Sequence, residues 1–188
     1  HEDAGAYGET LLLNELERLK SGGVIGEYGS THNMVFNNRN FELDGYAMVP
    51  GLGIIVMEAK FYSGKIYPGN MPHWDNIKTD GTNAPKKNPC VQLERSTNLF
   101  TELLESKGLF RWPVYSMVIM SHPGIQMVWG DSEPQYTVLG INMLEDFIRH
   151  DMQQDASIAF SNRDYAEIRD ALQVHYREYV DRSAEYAN

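Results

Sequence analysis

The chain has 188 residues, 26 acidic side chains against 16 Lys and Arg, a net charge of −10 and one cysteine, which at ~150 residues per domain suggests one domain or a domain with an appendage. Cys90 alone excludes an intramolecular disulfide and a Cys-rich metal framework, and apolar runs such as Ile54-Ile55-Val56-Met57 fall far short of the ~20 residues that cross a bilayer, so no membrane partner is expected. The acidity also excludes a protein that coats nucleic acid with a basic stripe; acting on a polyanion would require a local cation cluster or a bound metal.

No basic segment followed by an apolar block opens the chain, so a retained secretory signal is not expected and a cytoplasmic location is. His1 is not an initiator and reads as the start of an excised or tagged fragment. Residues 5–20 are expected to form a helix, with Leu12, Leu13, Leu16 and Leu19 at helical spacing and Ser21-Gly22-Gly23 as the stop. Glu9 precedes Leu12, Leu13 and Leu16 by three, four and seven positions, which puts a carboxylate on the apolar stripe. It needs a partner or a wet cavity there, unless it simply complements the first turn of the helix.

Strand-like pieces follow at 24–28 and 33–36, with a turn at 37–40. Two stronger strands, 41–49 and 54–62, flank Pro50-Gly51-Leu52-Gly53, a hairpin signal. Residues 63–87, rich in Gly, Pro, Asn and Lys, read as a long loop of the kind that often carries function. A second helix starts at Asn88 (N-cap) and Pro89 (first turn) and stops at Gly108. Leu99, Phe100, Leu103 and Leu104 form its stripe, and Gln92 and Ser96 continue it backwards, predicting a polar group turned inward. Strands are expected at 114–120, 126–129 and 136–139, and helices at 142–150 and 166–179, the last with Ile168, Leu172, Tyr176 and Tyr179 in phase. This order describes a mixed α/β domain: a central sheet flanked by helices, with a helical C-terminal extension.

The chemistry concentrates in Asp44 and in Glu58-Ala59-Lys60. Residues two apart in a strand share a face, so Glu58 and Lys60 point the same way. Folding the hairpin about Gly51 sets Asp44 opposite Glu58, both seven residues from that centre. Opposed carboxylates repel unless a cation lies between them. Mg²⁺ suits that geometry, with one or two carboxylates and several retained waters, and Lys60 alongside can steady a water or a phosphoryl oxygen. A Glu-x-Lys triplet alone reads equally as a semi-buried ion pair closing the strand. Five inward polar residues from four elements (Glu9, Asp44, Glu58, Lys60 and Gln92) do not read as surface solvation.

In the order Gly8-Glu9, Asp44, Glu58-Ala59-Lys60, Gly64, Ile66, Trp74, Asn88-Pro89 and Gln92, the chain resembles the nuclease-related domain (NERD) family, a branch of the PD-(D/E)xK phosphodiesterase superfamily. The resemblance runs over residues 5–122. It implies a restriction-endonuclease-like α/β core at 5–125, with 126–188 as added strands and C-terminal helices packed on it. It also implies Mg²⁺-dependent hydrolysis of DNA or RNA (Mn²⁺ substituting), with Asp44, Glu58 and Ala59 as metal ligands and Lys60 orienting the water. Glu9 would assist metal binding or a second ion, and Gln92 would line the site. One departure is Gly45, where a bulkier residue is expected after Asp44.

In the long loop, Lys65, Lys78, Lys86 and Lys87 are the local cations that could meet phosphates, and Trp74, Tyr62 and Tyr67 the rings that could stack bases. A solvated loop face and core or rim packing are the plainer roles. His73 reads as a surface residue sooner than a metal ligand, and Ser121-His122 lacks a nucleophile context. The acidic stretch past His122 suits docking on a basic partner or a neighbouring domain of a longer protein. The functional rivals are therefore a metal-dependent nuclease, an inactive nuclease-fold docking module, and a hydrolase of small phosphate esters.

Overall fold

The computed structural model describes residues 2–173. Helix α1 (Glu2–Ser21) leads into β1 (Glu27–Phe36), β2 (Arg39–Val49) and β3 (Gly53–Lys60). Helix α2 (Pro89–Ser106), β4 (Val114–Met120) and β5 (Thr137–Gly140) follow. The five strands lie in chain order in one mixed sheet, antiparallel from β1 to β3 and parallel from β3 to β5. This is a mixed α/β fold, consistent with a restriction-endonuclease-like architecture.

Helix α1 packs on one face of the sheet, joined by Leu144 and Ile148, and α2 on the other, joined by Ile168 and Leu172. Leu12, Leu16 and Leu19 of α1 pack on Ala47, Val49, Ile55, Met57, Met117 and Ile119. Leu93, Leu99, Phe100 and Leu103 of α2 pack on Tyr46, Met48, Ile54, Val56, Val118 and Met120. β3 is thus buried on both faces, as its nearly continuous apolar sequence predicts. Asn88 caps α2 by accepting from the Cys90 N–H at 2.9 Å, Pro89 opens it, and Gly108 follows its end at φ 69°.

The expected strands at 24–28 and 33–36 are parts of one strand, β1, interrupted by two register shifts, with Asn33 at φ 54°. Asn37 and Asn38 at φ 52° and 61° make the two-residue turn into β2. The 63–87 segment is a folded strap and not an open loop. Lys65–Ile66 pairs with Asn76–Ile77 and with Gln126–Met127, and His73–Trp74 pairs with Lys86–Lys87. The helix expected at 142–150 is a succession of Ile141–Met143 (3₁₀), Leu144–Asp146 (α) and Phe147–Asp151 (π). The last helix begins at 162, earlier than expected, and buries Ile168 and Leu172. Tyr176 and Tyr179 lie outside the described residues. Among the described residues no helix is long and apolar enough to cross a membrane.

Candidate active site

The β2–β3 hairpin pairs Val49 with Gly53, Met48 with Ile54, and so on to Gly45 with Met57. The next step of that register sets Asp44 opposite Glu58, as the symmetry about Gly51 predicts. The backbone ladder stops at Gly45 and Met57, and the Asp44 side chain replaces it. Its Oδ2 accepts a hydrogen bond from the Ala59 N–H at 2.9 Å. On the other edge of β3, the Lys60 carbonyl accepts from the Ser121 N–H at 2.9 Å. Successive carbonyls of a strand alternate sides, so the Ala59 carbonyl faces the β2 side, where the ladder has ended.

Asp44 and Glu58 are buried, at 7% and 8% exposure. Burial, reinforced by the Glu58 charge and by Glu9, pushes the Asp44 carboxyl up to about 8. Burial also raises Glu58, although Lys60 opposes it. Lys60 Nζ stands 3.4 Å from Glu58 Oε1, with 31% of the lysine side chain still exposed, so the pair is neither short nor dry. Desolvation acts to lower the ammonium, but Glu58, Tyr62 and Asp44 outweigh it and hold Lys60 above its ordinary value. Two buried carboxyls so placed, both raised, favour added positive charge.

Two glycines allow α1 to approach this end of the sheet. A Cβ on Gly8 would lie 2.9 Å from both Phe61 Cβ and Ser121 Oγ. A Cβ on Gly45 would lie 2.9 Å from Leu12 Cδ2, which explains the small residue after Asp44. The close packing carries Glu9, half-buried, within electrostatic reach of Asp44 and Glu58. Among the described residues, however, no group of three or more His, Cys, Asp or Glu side chains is placed to hold a metal ion. Glu9 therefore acts on the pair through its field, not as a third carboxylate of one cluster.

Several expectations need correction. Gln92 is exposed; its Nε2 reaches Ser96 Oγ at 3.5 Å, and it lines a shallow pocket with Asn33, Asn40, Phe41 and Glu42. The buried stripe of α2 runs through Pro89, Cys90, Leu93 and Ser96, and Gln92 falls outside it. Trp74 is 1% exposed and its Nε1–H donates to the Gly69 carbonyl at 2.8 Å, so it is a core residue with no face for a base. The exposed indole in this region belongs to Trp129, which the sequence reading passed over. Lys65 and Lys87 are exposed on the strap. Lys86 instead sits with Nζ 5.1 Å above the Tyr62 ring, next to the site. The exposed His73 pairs through its backbone with Lys87. Ser121 is buried, and its Oγ–H donates to the Lys60 carbonyl at 3.3 Å.

Glu42 was also missed. Its charge adds to the rise of Glu58, and its place two residues before Asp44 was the available signal.

The family model for the nuclease-related domain matches residues 4–121. The chain belongs to the nuclease-related domain family. The match ends just past β4, so α1 from its third residue, the β2–β3 site and α2 lie inside it, while β5 lies beyond it. Neither curated proteins nor solved structures give a match to the chain.

Proposed function

We propose that this NERD protein is a metal-dependent nuclease that hydrolyses phosphodiester bonds of DNA or RNA. The observation that carries it is the pair of opposed, buried carboxylates, Asp44 and Glu58, left without a paired backbone ladder and with the Lys60 ammonium beside them. A scaffold gains nothing from burying two like charges, whereas a bound divalent cation would turn both penalties into attraction. The donor set fits Mg²⁺, with Mn²⁺ as a substitute: two carboxylates and the Ala59 carbonyl, water completing the shell. When bound, such an ion supplies Lewis-acid polarisation of the phosphodiester and a lowered pKa for the attacking water. Asp44, fixed by the Ala59 N–H, and Glu58 would hold it. Lys60, charged and partly exposed, donates to the attacking water or to a phosphoryl oxygen as negative charge builds there. Glu9 adds negative potential that strengthens cation binding. The core at 5–125 carries this chemistry, and the described residues from 126 to 173 are an addition to it.

Linear, circular and single-stranded DNA and RNA, incubated with Mg²⁺, Mn²⁺ or EDTA, test this directly. Cleavage by the wild type with either metal is expected, with none in EDTA and a loss of at least about 100-fold for Lys60→Ala. Glu58→Gln should weaken Mg²⁺ binding in calorimetry while leaving the metal-free protein folded. Cleavage that persists in EDTA or survives Lys60→Ala would reject the mechanism. Absence of both cleavage and metal binding would favour a docking module.

A further inference from the structure

The strap beyond β3 brings together two lysines that the hydrolytic chemistry does not use. Gly64, at φ 79°, turns the chain so tightly that a Cβ there would lie 2.3 Å from the Ile77 carbonyl oxygen. That turn starts the antiparallel pairing of Lys65 with Ile77 and Ile66 with Asn76. One step further along the same register, Lys78 comes opposite Gly64, and its Nζ reaches Ser63 Oγ at 3.4 Å. Asn76 locks this geometry by donating from Nδ2 to the carbonyls of Ser63 and Lys65 at 2.8 and 3.0 Å. Lys86 arrives from the other side of the strap with its ammonium 5.1 Å over the Tyr62 ring.

Tyr62 and Ser63 are the second and third residues after Lys60, so the two ammoniums stand at the exit of the strand that carries Glu58 and Lys60. They are close enough for the charge of Lys86 to act on Lys78, which burial and Lys86 together lower. Among the described residues neither is in an ion pair with a carboxylate, which is equally true of Lys65, Lys87 and Lys107; what sets Lys78 and Lys86 apart is that Ser63 and Tyr62 hold their ammoniums in place. Like charges held together in this way lack an anion.

We propose that Lys78, held at the Ser63 hydroxyl, and Lys86, held over the Tyr62 ring, form a subsite for a backbone phosphate next to the one that is cut. This rests on the proposed phosphodiester hydrolysis, and it assigns the place where the chain holds the flanking nucleotide. It also answers the acidity of the protein, because grip on the polyanion is confined to one strap instead of being spread over a basic face.

The test is a fluorescence-anisotropy titration of labelled DNA and RNA oligonucleotides in EDTA, between about 50 and 200 mM salt. It compares the wild type, Lys78→Gln/Lys86→Gln and Lys78→Arg/Lys86→Arg. Each phosphate neutralised contributes about 0.7–0.9 to the slope of log affinity against log salt. The glutamine pair is expected to flatten the slope by about one and weaken binding roughly tenfold, and the arginine pair to restore both. Circular dichroism melts show whether each variant is folded. Equal slopes for wild type and the glutamine pair, or no oligonucleotide binding by the wild type, would overturn the subsite. Mg²⁺-dependent cleavage lost in Lys60→Ala would still stand as the separate mark of the nuclease. The reverse outcome, a slope that depends on the lysines without any cleavage, would keep the subsite and reject the hydrolysis.

Discussion

At the turn end of the β2–β3 pair, Met48 faces Ile54 and Val49 faces Gly53, every side chain is buried, and α1 and α2 cover both faces. At the other end, one register step past Gly45 and Met57, the same strands present Asp44 and Glu58, and a side chain has taken over an N–H of the ladder. The turn end contributes stability through burial. The carboxylate end, in the metal-free protein, opposes folding, because burial and mutual repulsion hold both acids above their ordinary range. The site persists because the dry end fixes the register that the wet end needs. A one-residue slip would move Glu58 to the α1 face.

That division is broken most forcefully at Ile55, fully buried under α1. Ile55→Ala leaves a cavity in a two-sided core strand and should cost about 2–5 kcal/mol in urea unfolding. A loss below about 1 kcal/mol would mean that the turn end does not carry the hairpin.

An effect of opposite sign is expected at the carboxylate end. The Asp44 carboxyl, ordinarily near 3.8, is pushed up to about 8 in the folded protein. The native state therefore holds a proton that the unfolded chain has released across that window. Stability is greatest below the lower value and falls as pH rises through the upper one. In EDTA, the melting temperature of the wild type should fall relative to Asp44→Asn between pH 4 and pH 8, with Asp44→Asn the more stable at the alkaline end. Mg²⁺ added at pH 8 should raise the wild type and not the variant. A difference between the two proteins that does not change with pH would remove Asp44 from the site's electrostatics.

How much of this was legible in the sequence depends on the distance over which each signal acts. The opposition of Asp44 and Glu58 was readable because a hairpin centred on Gly51 fixes every pair by arithmetic, and β2–β3 keeps that register to Gly45. The cap of α2 was readable because Asn88 and Pro89 act locally. Gln92 was misread because spacing from Ser96 and Leu99 leaves the edge of the stripe open; the first turn is buried through Pro89, Cys90 and Leu93, and Gln92 falls beside that face. For Trp74, core packing was the plainer of the two roles and holds, while base stacking does not. Its neighbours are polar, but its burial comes from the folding of the strap, whose two-residue strands are too short to show a period. The lysines of the strap were visible as residues, while their meeting over Tyr62 and Ser63 depends on Gly64 and Asn76, which pair at long range.

Gly45 lies on the border between the two ends: its backbone closes the last pair of the ladder, and its missing side chain lets Leu12 and Leu16 rest on β2. Gly45→Ala inserts a methyl 2.9 Å from Leu12 Cδ2, the tip of a side chain that can yield only by shifting within the α1 packing. Overpacking of this kind sits at the low end of the usual 1–3 kcal/mol range, about 1 kcal/mol here. The helix has a second duty, because Glu9 lies one turn before Leu12 and Leu13 and acts on Asp44. Displacing α1 should therefore weaken Mg²⁺ binding by a small factor as well as lowering stability, while Ile55→Ala, on β3 nearer the turn, should lower stability alone. Calorimetric Mg²⁺ titration of both variants separates the cases. If Gly45→Ala loses stability but binds the ion as the wild type does, α1 serves the fold, and the field of Glu9 at Asp44 has no part in holding the cation.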